Sequence, residues 1–264
     1  MATFTDPASE LALIADLLAQ GGGEAGDKFL ANAFEVEPWS TEFVKILACI
    51  HERCDLVERI VARSSLDAAV IDRCREDLMT FRSAFSGRAL HESWHNAPGG
   101  GLSKVTAGSR LAYLQSTVRA EVAYPRLSEE DVTELLGLID TYLTTLADNP
   151  DELPVIRQAI VDGLEAFRFQ LRWLRWMGAA YALSTFRALV WTYEQAHRQF
   201  PEDAQPEAAE ILDGLLGVIT SFAEKAKAAA GYADAAQWMW KAYSVASPFV
   251  VPLLAAGNLP RLTG

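Results

Sequence analysis

The sequence predicts an all-α protein, a bundle of about eight or nine helices arranged as antiparallel hairpins with no sheet. Apolar residues recur at steps of three and four along almost every long stretch, and no convincing run of alternating β-branched residues appears. At 264 residues the chain is long enough for one large domain or two small ones, and with half its residues hydrophobic a substantial core is available.

Asp6 followed by Pro7 reads as an N-cap with proline at the first helical position, opening a helix whose core face carries Leu11, Ile14, Leu17 and Leu18. It fades at the linker Gly21-Gly22-Gly23. We therefore divide the chain into an N-terminal helix and glycine-rich linker over 1–38 and a main helical domain over 39–264. From Thr41 to Arg63 the seam Phe43, Leu47, Ile50, Cys54, Val57 and Val61 marks one side of a helix, with Glu52, Arg53, Asp55, Glu58 and Arg59 expected on the other. After Ser64-Ser65, the residues Ile71, Cys74, Leu78, Phe81 and Phe85 repeat the spacing as far as Gly87, which completes a hairpin.

A glycine-rich stretch, Pro98 to Gly101, precedes a helix marked by Leu111, Leu114, Val118 and Val122 and ended by Pro125. Ser128 with Asp131 three residues on starts the next helix, which carries Val132, Leu135, Ile139, Tyr142 and Leu146. Beyond the break at Asp148-Asn149-Pro150, the stretch Leu153–Gln199 reads either as one kinked helix or as a hairpin turning near Gly178. Two further helices are expected, from about Glu207 to Ala229 and from Tyr232 to Val245.

A formal net charge of −12 and a pI near 4.8 repel phosphate backbones and anionic lipid surfaces, so neither nucleic acid nor membrane is expected as a partner. The stretch Leu171–Tyr193 carries Arg172, Arg175 and Arg187, and Ala242–Pro260 is interrupted by prolines, so both are expected to pack rather than span a bilayer. With no basic n-region or apolar h-region at its start, the chain is expected to be cytoplasmic. Cys49, Cys54 and Cys74 are odd in number and fall in helical patterns, as reduced structural thiols do.

The string His91-Glu92-Ser93-Trp94-His95 matches H-E-x-x-H, a spacing that on a helix sets two imidazoles one turn apart to bind zinc. It resembles the zincin metalloprotease motif over those residues alone. The resemblance implies His91 and His95 as metal ligands and Glu92 as general base to a metal-bound water. It departs from the pattern in lacking a preceding sheet and a marked third ligand, for which Glu121, Glu129 and Glu130 are the downstream acids. Glu92 with His95 is also an E-x-x-H pair, and Glu194 with His197 is a second. Paired E-x-x-H motifs resemble ferritin-like di-iron carboxylate bundles, which add one acid from each of two further helices. Asp162, equidistant with Glu194 from a turn at Gly178, and Glu58 in the first half are the corresponding acids.

The segment Phe167–Met177 sets Arg168, Arg172 and Arg175 on one helical stripe and Phe169, Trp173 and Trp176 on the next. In so acidic a chain these arginines are expected to pair with carboxylates of neighbouring helices. The sharper alternative is an anion-binding cleft or protein-interaction surface, since Arg and Trp are enriched at interface hot spots. Neither a G-x-S-x-G motif, nor a dinucleotide fingerprint, nor a P-loop is present.

These observations favour a non-catalytic helical interaction or regulatory protein, such as an immunity, inhibitor or accessory subunit, with no cofactor and with another protein or a second copy as partner. The alternative is a metalloprotein built on His91, Glu92 and His95, either a zinc hydrolase or a di-iron carboxylate oxidase.

Overall fold

Seams of apolar residues three and four apart need partners, and here they find them in two separate cores. The computed structural model describes residues 4–20, 22–95, 100–148, 154–199 and 206–230. Over these residues the chain is almost wholly helical, as its periodicity predicts. The expected helix over 232–245 and the apolar tail lie outside the described residues.

Helix α1 (Pro7–Leu18) begins as the sequence indicates, with the Asp6 carboxylate accepting from the Ser9 N–H at 2.9 Å. The stretch read as a linker continues into a further helix, α2 (Gly26–Phe34). Helices α3 (Thr41–Arg63) and α4 (Ala68–Ser83) form the expected hairpin, α3 capped by the Ser40 hydroxyl. A short α5 (Gly87–His91) follows, then α6 (Leu102–Arg110), a 3₁₀ turn (Leu111–Leu114) and α7 (Gln115–Glu121). The expectation of no sheet needs one small correction. Strand β1 (Phe4–Thr5) pairs antiparallel with β2 (Tyr124–Pro125), Thr5 opposite Tyr124, which ties the start of the chain to the end of the first core. Two residues per strand are too few for alternation to register in a sequence.

The second core is a four-helix bundle. Helices α8 (Glu129–Asp148), α9 (Pro154–Arg172), α11 (Ala179–Gln199) and α12 (Pro206–Ala230) pack in a closed ring, α12 returning to α8. At its centre the rings of Phe167, Phe186 and Phe222 lie 4.2–5.7 Å apart, all three buried. Full burial of each is worth about 1.5–3 kcal/mol. The ambiguity over 153–199 resolves as a hairpin. Helix α9 stops at Arg172, a single turn α10 (Leu174–Met177) follows, and the chain reverses at Gly178, whose φ is +90°.

That reversal joins the two cores. The stripe Phe167 and Leu171 faces the bundle, whereas Trp176 and Met177 on α10 enter the first core, with Phe169 and Trp173 packed against it. Helices α1 and α2 belong to the same hydrophobic core as α3, which also takes in Trp176, Met177 and Ala179 from beyond helix α9.

Candidate functional site

The H-E-x-x-H string does not form the helix its spacing suggests. Helix α5 ends at His91, Glu92 is already extended, and Ser93 makes an isolated bridge with Ala25, so His91 and His95 do not share a helical face. The reason is Trp94. Its ring is fully buried, stacks on Phe29 at 4.8 Å and donates its indole N–H to the Leu18 carbonyl at 3.2 Å. Its backbone N–H donates to Glu24, and its carbonyl accepts from the Leu102 N–H. The Glu92 carbonyl accepts from the Gly26 N–H, and the Ser93 hydroxyl donates to Gly23. The string is thus a strap that fastens the loop before α2 to the start of α6. Burying an indole outweighs continuing a five-residue helix.

The side chains expected to bind metal are engaged otherwise or lie apart. Glu92 pairs with Arg88 at 2.8 Å, and His91 is exposed and stacks on Trp39 with ring centroids 5.8 Å apart. His95 is exposed. Glu194 and His197 lie on the bundle, remote in the fold from Glu92 and His95 on the strap. His197 stacks with Tyr193, and Asp162 accepts from Gln158 at 2.7 Å. Gly163 packs against Leu189, which leaves Asp162 about one turn out of register with Glu194. Glu58 pairs with Arg82 at 3.3 Å. Among the described residues no group of three or more His, Cys, Asp or Glu side chains is placed to hold a metal ion.

The arginine stripe does find carboxylates. Arg168 reaches Asp140 at 3.0 Å and Glu165 at 3.3 Å, Arg175 reaches Glu129 at 2.9 Å, and Arg172 lies 5.2 Å over the Trp173 ring. The tryptophans beside them face inward. Trp176 is buried edge-on to Phe34, and Trp173 donates to the Phe34 carbonyl at 2.9 Å.

Two clusters escaped sequence reading. The first is at the surface. Trp39, in the loop between α2 and α3, is 49 % exposed yet fixed: its indole N–H donates to the Asp27 carboxylate at 2.8 Å, His91 covers one side, and Phe43 lies 5.7 Å away. Its φ of +63° is a left-handed conformation that a bulky residue rarely adopts. The signal available was modest, a tryptophan between Pro38 and the N-cap Ser40.

The second is buried at the joint between the cores. Arg53, expected on the polar side of α3, is only 3 % exposed and meets Glu10 of α1 at 3.3 Å. It also donates to the Trp176 carbonyl at 2.8 Å, while Glu10 accepts from the Ala179 N–H at 3.1 Å. Burial raises the Glu10 carboxyl above its ordinary range, opposed chiefly by the Arg53 charge. The Tyr124 hydroxyl lies buried beside the pair, its ionisation pushed up by burial and then by Glu10. A Cβ on Gly178 would fall 2.5 Å from Arg53 and 2.6 Å from Glu10, so glycine is required both for backbone sign and for space.

No helix among the described residues is long and apolar enough to cross a membrane. No protein-family model matches the chain, and no curated protein or solved structure matches it. Fold and site together define a two-core all-α protein with a half-exposed, hydrogen-bonded tryptophan on its surface.

Proposed function

We propose that the chain is a non-catalytic interaction protein that docks a partner protein through the face centred on Trp39. The observation that carries this reading is the fixed exposure of that side chain. An indole half open to solvent forfeits hydrophobic stabilisation, and a left-handed backbone costs about 1–3 kcal/mol more. Here the indole hydrogen bond to Asp27 and the stack with His91 hold the ring in that position. Rigid, pre-oriented tryptophans are the residues around which interface hot spots form, because little side-chain entropy remains to be lost on binding.

The strap supports the same reading. By anchoring Trp94 it fixes the end of α5, and with it the His91 ring that backs Trp39. The string that resembles a metal motif thereby serves as scaffold to a contact surface.

Site-specific photo-crosslinking tests the proposal. A benzoylphenylalanine placed at position 39 should give a discrete cross-linked product in cells, and the same probe replacing the equally exposed Trp191 on α11 should not. Equal labelling from both positions, or none from position 39, would sink it.

A further inference from the structure

We infer that the partner docking on this face presents a positively charged polypeptide segment, with an arginine or lysine side chain seated against the Trp39 indole. The inference rests on the docking reading above and adds the chemistry of the partner. Its ground is the distribution of charge around the ring. Between Gly22 and Lys45 the sequence places Glu24, Asp27, Glu35, Glu37 and Glu42 against Lys28 and Lys45, the latter held 4.9 Å over the Phe169 ring. Asp27 holds the indole directly, Glu37 closes the turn that leads to Ser40, and Glu42 lies in the first turn of α3. None of these five carboxylates is buried, and none takes part in an ion pair among those described, unlike Glu129, Asp140 and Glu165 beside the arginine stripe.

A half-exposed ring held by one carboxylate, with further carboxylates free of ion pairs close by in the chain, attracts a cation twice, through the ring quadrupole and through ordinary Coulomb attraction. The net charge of −12 adds long-range steering of a basic partner towards the chain. Trp191 supplies the internal contrast. It is 51 % exposed, but its own helix carries Arg187, His197 and Arg198 beside the single acid Glu194. Equal aromatic exposure therefore stands on chain segments of opposite charge balance.

The test is the binding of a fluorescently labelled hexa-arginine peptide to the full chain, followed by anisotropy at low and moderate salt. Trp39→Ala should weaken binding about fivefold or more, and Trp39→Phe, which keeps an aromatic face, should recover much of that loss. Glu37→Gln with Glu42→Gln should weaken it further and flatten its salt dependence, while Trp191→Ala leaves affinity within about twofold. Unchanged circular dichroism and melting of Trp39→Phe show that the fold is intact. Equal loss at positions 39 and 191, or binding of a hexa-glutamate peptide as tight as that of hexa-arginine, would overturn the inference. Should the peptide be indifferent to position 39 while cross-linking from position 39 persists, the cationic partner falls and the docking reading stands.

Discussion

Glu10 and Arg53 form an ion pair 3.3 Å long in the interior, and the turn that reverses the bundle hairpin is built over it. One carboxylate oxygen takes the Ala179 N–H and one guanidinium nitrogen reaches the Trp176 carbonyl, so the pair satisfies the polar backbone on both sides of Gly178. It is the point at which α1, α3 and the bundle meet.

Replacing Arg53 with Met leaves Glu10 buried beside no cation and should lower unfolding free energy by about 3 kcal/mol or more. The double variant Glu10→Gln, Arg53→Met should be more stable than Arg53→Met alone. Urea denaturation of the parent, both single variants and the double variant checks both statements, and additive losses would show that the pair is not coupled.

The same pair imposes a pH dependence. Because burial raises the Glu10 carboxyl in the folded state, against the opposing pull of Arg53, the fold binds that proton more tightly than the unfolded chain does. Its contribution is complete below the ordinary glutamate value of 4.5 and is lost as pH rises through the raised value. Glu10→Gln should therefore remove a decline in stability above pH 4.5 that the unaltered protein shows. Parallel stability curves for the two proteins would refute the assignment.

Gly178→Ala combines a positive φ with a Cβ forced onto both charged groups. A loss of at least about 2 kcal/mol is expected, measurable as a lowered urea midpoint. Gly137→Ala on α8, where a Cβ meets nothing within 4 Å, should raise the midpoint slightly.

Trp94, inside the string, and Trp39, stacked on its first residue His91, should respond very differently to truncation. Trp94→Ala empties a buried site and removes the bond to Leu18, costing about 3–5 kcal/mol. Trp39→Ala gives up only a half-exposed ring and leaves the left-handed backbone as it is, so its thermal midpoint should move far less. Similar shifts in melting temperature would contradict the roles assigned here.

Elemental analysis of protein purified without an affinity tag or added metal, beside His91→Ala and His95→Ala, addresses the metalloprotein alternative. On the interaction reading, zinc and iron are substoichiometric and both variants keep the parent composition. Stoichiometric metal lost in both variants would displace that reading.

Most of the fold could be read from the sequence because it depends on periodicity. The α3–α4 hairpin, the Asp6-Pro7 start of α1 and the Ser128 start of α8 all follow from spacing and capping. What escaped depends on contacts remote in sequence. Arg53 follows Ile50 by three positions and precedes Val57 by four, so it lies on the apolar seam itself. Only a carboxylate 43 positions away on another helix makes that burial tolerable. The strap misled for the converse reason, since the motif spacing was present but the Trp94 ring had a deeper place to go. Trp39 gave little warning, because exposure in a loop has no period.

Every cysteine in the chain, Cys49, Cys54 and Cys74, lies on α3 or α4 in the first core, and the four bundle helices carry none. Burial pushes the three thiols up to about 12, 12 and 11, so a neutral alkylating reagent finds neither an accessible nor an ionised sulfur. Their rate of labelling is consequently a clock for one half of the molecule. Alkylation that runs faster than global unfolding would time the breathing of the first core while the bundle stays closed, and alkylation that matches it would mean that the two halves open together.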